Sequence, residues 1–203
     1  IAVDLICGPL LTYVLWNSNK SRKELFLDMS LVGVIQLTAL SYGMHTIALA
    51  RPVIIVFEAD RFRIVSEAEI NADQLKEASS EFRMLSWTGP KWATLREPVD
   101  SEELMKSIDL SLQGQEPSVR PNWWRPINEG YEKIRQRSRP IYALRNNYKN
   151  ESEVINKLIM KSGIAESNLY WLPLVSTHSA EWVVIFDIAN MKNIGYLPLD
   201  GFY

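Results

Sequence analysis

His178 lies in the run "STHSA", between Ser176, Thr177 and Ser179, which are the residue types of nucleophilic hydrolysis. That chemistry requires nucleophile, base and an orienting acid to converge through space, and neighbours within one turn do not achieve it. A solvent-exposed turn is the expectation for His178. The sequence holds no GxSxG, HExxH or CxxC motif and no glycine-rich phosphate loop. Its one cysteine, Cys7, lies in the apolar opening, so a zinc site in the remainder would have to lean on carboxylates. Asp60 and Asp187 are isolated acids in strand-like surroundings, suited to capping or pairing with arginine. No catalytic residue, metal or cofactor is therefore expected.

A second kind of chemistry is hydrogen bonding and charge pairing at membrane depth. Leu25 to Ala50 is about 26 residues of mostly apolar sequence, enough at about 1.5 Å each to cross a hydrocarbon layer of about 30 Å. Within it only Asp28 carries a formal charge. Ile1 to Trp16 would reach about 24 Å as a helix and reads as the surviving part of a longer span. The sequence starts without methionine inside that run, so an N-terminal truncation is expected. Between the two spans, Asn17 to Glu24 carries Lys20, Arg22 and Lys23, and short basic loops stay cytoplasmic. This predicts a transmembrane helical region over residues 1–50 and delivers residues 51–203 to the far side, which in a bacterium is the periplasm.

Measured from the basic loop, Asp4 lies about 18 Å deep and Gln36 about 17 Å. They are level, and an Asp4–Gln36 pair is the simplest way to accommodate a carboxylic group there. Gly8-Pro9 frees the carbonyl of Leu5 and permits a bend, so the first helix should face protein on that side. Asp28 lies about 5 Å deep, where water or Lys23 could satisfy it. Gly33, Gln36, Leu40, Gly43 and Ile47 share one stripe, with Ala39 and Gly43 as a small-xxx-small pair. Such a face could receive the first helix, a helix absent from this sequence, or a separate membrane protein.

The remainder reads as α+β. "VIIVF" (Val53 to Phe57) followed by "RFRIV" predicts a hairpin with a buried first strand. Helices are signalled at Asn71 to Ser79 and after Asp100. There Glu103 should reach back to the cap, and Leu104, Ile108 and Leu112 share a face. "PNWWRP" places Trp123 and Trp124 in a loop, as anchors packed on the domain, as a membrane-interface belt, or as a partner site. From Glu129 a helix should turn Tyr131 and Ile134 inward, while Lys133, Arg135, Arg137 and Arg139 form a solvated face or a docking patch for anionic lipid or an acidic partner. A helix capped by Asn150 and closed by Gly163 uses Val154, Ile155, Leu158 and Ile159 as its apolar stripe. "LYWLPLVS", "EWVVIFDI" and "NIGYLPL" form an antiparallel meander that completes one sheet with the hairpin. A formal net charge of -2 and the absence of RRM, zinc-finger or helix-turn-helix signatures argue against nucleic acid as a partner.

"DLICGPLLT", "KELFLD", "QLTALSYGMHTIALARPVIIVFEADRF", "PNWWRP", "RSRPI" and "LPLVSTHSAEWVVIFDIANMKNIGYLPLDGF" together resemble the TfpX/TfpZ family of type IV pilin accessory proteins. The most specific part is the second helix running into "ARPVIIVFEADRF". The resemblance implies a bacterial inner-membrane protein with a mainly antiparallel, helix-flanked periplasmic domain. It also implies a chaperone or modulator role toward the cognate major pilin, with membrane lipids and other pilus assembly proteins as further partners. Family members usually have an additional N-terminal membrane helix. No catalytic residues carry over; a membrane-anchored periplasmic enzyme acting on pilin or cell envelope is the alternative class, and a structural subunit of an envelope complex a third. Asp4, Asp28, Gly33, Gln36, Gly43, Trp123 and Trp124 are the candidate partner-binding residues.

Overall fold

The computed structural model describes Tyr13, residues 21–177 and residues 179–203. Asp4, His178 and, apart from Tyr13, the first expected helix lie outside the described residues. The chain divides into two compact units, Ile1–Arg51 and Pro52–Tyr203.

In the first unit, helix α1 spans Arg22–Ala50, starting three residues earlier than the apolar run alone suggested. Ser21 explains the start: its hydroxyl accepts from the Glu24 N–H at 3.3 Å, and its own N–H donates to the Glu24 carboxylate at 2.9 Å. These two bonds satisfy orphan groups of the first turn reciprocally. Pro52 ends the helix by holding Arg51 extended at φ -65°, ψ 139°, and the Arg51 guanidinium donates back to the Ala48 carbonyl at 2.7 Å. At about 1.5 Å per residue α1 is about 44 Å long. By length and composition it can cross a membrane. Large apolar side chains point out around it, among them Phe26, Leu31, Ile35, Met44 and Ile47, while Val32 alone of its residues is buried. A helix apolar on all sides suits lipid as its solvent.

The second unit is built on one mixed sheet. β1 (Pro52–Glu58) and β2 (Arg61–Ser66) form the expected hairpin, turning through Ala59 at φ 57°. β1 is buried along Val53–Phe57, as its unbroken apolar run required. The four-residue helix α2 (Ala72–Leu75) replaces the longer one expected over residues 71–79. β3 (Lys91–Leu95) was not signalled by the sequence; it runs parallel to β1 and carries β4 (Trp124–Pro126) on its other edge. Between them α3 covers Ser101–Leu112. α4 (Tyr131–Arg137) follows, then the two-residue β5 (Arg139–Pro140), α5 (Ile141–Asn147) and α6 (Ser152–Ser162). The meander comprises β6 (Leu169–Ser176), β7 (Ser179–Asp187) and β8 (Lys192–Leu197).

The strand order is β4-β3-β1-β2-β6-β7-β8, with β5 beside β6. Hairpin and meander do complete one sheet, joined by a parallel contact at Phe62↔Leu174 and Arg63↔Val175. That join and β1–β3 are the parallel exceptions in a mostly antiparallel arrangement. Ile134 and Tyr131 of α4 pack on Ile55, Phe62 and Phe186, as expected. Ile155, Leu158 and Ile159 of α6 pack with Ile141 and Leu144 of α5 against the meander residues Trp171, Val183 and Ile185. Val154, expected in that stripe, is exposed. Gly163 closes α6 at φ +67°, as its type predicts, whereas Glu151 and not Asn150 occupies the opening position, without a side-chain bond. Gly130 is required for space: a Cβ there would stand 2.5 Å from the Thr94 hydroxyl oxygen, so only glycine lets the turn before α4 lie against β3.

Candidate interaction surfaces

On α1 the candidate glycines are half-buried, and among the described residues, the helix's own backbone and chain neighbours apart, no heavy atom lies within 4 Å of where a Cβ would stand at Gly33 or Gly43. The hydroxyls of Thr38 and Thr46 are satisfied within the helix, donating to the carbonyls of Val34 at 2.8 Å and Tyr42 at 2.9 Å. The Gln36 amide has no such intrahelical bond. Asp28 is half-buried and lies two turns before Gln36.

Trp123 and Trp124 turn inward. Pro121–Trp123 forms a 3-10 turn that feeds β4, and Trp124 is fully buried with its indole N–H donating to the Ser118 carbonyl at 2.8 Å. Its ring meets Phe82 edge to face at 6.0 Å. Trp123 is held between two guanidinium groups, Arg96 at 4.3 Å and Arg120 at 4.9 Å from the ring centroid. Both residues are buried and anchor the loop to the domain.

The same arginines fasten α3. Arg96 grips Glu103 with two bonds, at 2.8 and 2.5 Å. Arg120, buried, donates from Nη2 to the carbonyl and hydroxyl oxygens of Ser107 at 3.1 and 2.9 Å. Asp100 caps the helix as expected, accepting from the Glu103 N–H at 2.8 Å. Glu103 does not complete a capping box, because its carboxylate takes Arg96 and the Val99 N–H at 2.7 Å instead. α3 is therefore attached through its polar side, and Leu104, Met105, Ile108 and Leu112 face outward, Leu112 being 83% exposed. The expected shared face exists, but it is the free one. Burial pushes Arg120 down from the usual guanidinium range, opposed by the Glu58 carboxylate, while the Glu103 bond pushes Arg96 up.

Glu103 is held at about 2, first by Arg96 and then by the Val99 N–H. Its folded value lies below the unfolded carboxylate value of about 4.3, so its contribution is complete above that pH and is lost as pH falls through about 2. Amide exchange in α3 should accelerate over that window, measured against α6 in the same molecule, and the Glu103→Gln variant should lose this pH dependence.

Within the basic run, Lys133, Arg135 and Arg139 engage separate groups, while Arg137 is exposed. Lys133 pairs with Glu97, Arg135 with Glu132 and the carbonyls of Ile188 and Ala189, and the Arg139 guanidinium lies over the rings of Trp171 and Tyr203. Asp60 pairs with Arg61 at 3.3 Å, and Asp187 accepts from the Ala189 N–H at 3.0 Å, the structural roles expected of them. Among the described residues no group of three or more His, Cys, Asp or Glu side chains could hold a metal ion.

No family model and no solved structure matches the chain. Curated relatives do. The serogroup I fimbrial assembly protein of Dichelobacter nodosus is 38% identical over 202 residues, covering 98% of this chain and 78% of the relative. The serogroup E1 protein of that organism matches with the same identity and coverage. The chain belongs to the fimbrial assembly protein family. A third member, from serogroups C1 and C2, is 51% identical over 76 residues, 37% of this chain and 58% of its own length. The chain thus joins a membrane-length helix to a folded α/β unit within a family associated with fimbrial assembly. A groove beside β8 has no signature in the sequence, because a sheet edge is defined by strand order, which local spacing does not encode.

Proposed function

We propose that this family member is a type IV pilin accessory protein of the TfpX/TfpZ kind, an inner-membrane chaperone or modulator that binds the cognate major pilin and assists pilus assembly. The observation that carries this reading is the open Gly33–Gln36–Gly43 face of α1, where small residues permit close approach and an amide is presented at hydrocarbon depth. An amide without a partner in lipid costs several kcal/mol, so a helix that offers it a hydrogen bond is favoured. In this reading the partner is the apolar helix of a pilin awaiting assembly. Asp28, near the basic loop, meets the charged amino terminus of that helix. In this reading the basic first turn of α1, with Arg22 and Lys23, lies at the cytoplasmic face and residues 51–203 form the periplasmic domain.

Co-purification of the cognate pilin from membranes tests the reading. Wild-type protein should retain pilin, while Asp28→Asn and Gln36→Leu should each reduce the retained amount several-fold at equal expression, each removing an interaction worth about 1–2 kcal/mol in lipid. Unchanged capture by both variants would remove the membrane half of the proposal.

A further inference from the structure

β8 ends the sheet, paired with β7 on one side and with no described strand on the other. Beside it runs an open groove of about 560 Å³ whose second wall is α6. Leu158 and Ile194 form its apolar floor, and Val154 lines it, which accounts for the exposure of a residue expected in the α6 core stripe. Gly195 keeps helix and strand close: a Cβ there would already touch the Leu158 side chain at 3.0 Å.

Three lysines line the groove, Lys157, Lys161 and Lys192, and no carboxylate does. Lys157 and Lys161 are one helical turn apart, so they project on the same side of α6. Lysines that merely protect an edge from pairing belong on the strand itself. Here two of the three are on the facing helix, where they would lie along a chain placed beside β8 and leave the strand backbone approachable.

We infer that this groove is a strand-addition site for an extended, carboxylate-bearing segment of a partner polypeptide. Backbone N–H and C=O groups on the open side of β8 supply the affinity in such a mode, and pockets for alternate side chains supply selectivity. Apolar side chains of the segment would rest on Leu158 and Ile194, with carboxylates on the intervening positions meeting the lysines. The site stands on the second unit alone and does not depend on how α1 is used.

The test uses the full chain in detergent micelles and fluorescence anisotropy of a labelled, end-capped peptide of alternating valine and glutamate. Saturable binding that weakens with salt is expected, with the valine–lysine counterpart binding at least tenfold more weakly. Lys157→Glu with Lys161→Glu should reverse that preference, and Lys157→Gln with Lys161→Gln should weaken the acidic peptide without favouring the basic one. Because all of these side chains are exposed, unchanged far-UV circular dichroism is expected in each variant. A peptide alternating proline with N-methylated glutamate, which has no backbone N–H donor on either edge, should not bind. Equal binding of the proline peptide would reduce the effect to charge attraction and overturn the site. So would unaltered binding to both lysine variants, preferential capture by anionic phosphatidylglycerol vesicles, or a β8-to-β8 dimer that excludes the peptide.

Discussion

Replacing Trp124 by alanine should destabilise the second unit by about 3–5 kcal/mol, the range for truncating a fully buried aromatic residue. Three losses coincide at this position. The ring leaves a void beside Phe82 and Val119 in a core cluster that includes Val53, Val56 and Ala93. The Ser118 carbonyl loses its indole donor. β4 also loses the side chain that seats it, at the Leu95↔Trp124 pairing on the sheet edge. Domains of this size are stable by only about 5–15 kcal/mol, so the change consumes a large part of the total. The measurement is the urea midpoint followed by far-UV circular dichroism on the detergent-solubilised chain. Trp124→Phe keeps most of the volume and should cost about 1–2 kcal/mol for the lost hydrogen bond and the smaller ring. If alanine costs less than phenylalanine, the anchoring role assigned to Trp124 is wrong.

The burial that makes Trp124 sensitive could not be read from "PNWWRP". Two tryptophans between prolines exclude a helix interior, but an anchor, a membrane belt and a contact patch share the same residue types. The choice depends on Phe82 and Ser118, which only the folded chain brings near. Elements whose evidence is local were legible: the apolar length of α1, though not its Ser21 cap, the β1–β2 hairpin, the β6–β7–β8 meander and the Gly163 stop. β3 escaped because five residues of mixed pattern become a strand only by lying parallel to β1, a distant partner. The small-residue stripe of α1, Gly33, Gln36 and Gly43, is a feature of spacing alone, since periodicity is a property of the sequence. On α3 periodicity identified the apolar face, yet Arg96 and Arg120, from other segments, decided that the opposite side would be buried.

That inversion leads to the second large effect, on assembly rather than stability. Leu104→Glu with Ile108→Glu should sharply reduce surface pili while leaving the amounts of pilin and of this chain unchanged. Both residues are about half exposed, so charging them removes no core contact, and each should alter stability by no more than about 0.5 kcal/mol. The patch they share with Met105 and Leu112 is apolar, contiguous along one helix face and bordered by the exposed Asp109 and Glu102, an arrangement that marks a contact surface. Arg96 and Arg120 hold α3 from its far side, so the substitutions should leave the helix in place. Surface pili and total pilin, compared in a deletion strain carrying the wild-type or doubly substituted gene, provide the readout. Normal piliation with the double variant would show that this face is not used. Loss of piliation together with loss of the chain itself would show that the two residues stabilise the fold, which their exposure argues against. The expected pattern, chain present, pilin present and pili absent, would separate a contact made by this face of α3 from the one proposed for α1, whose substitutions are expected to change pilin retention in the membrane.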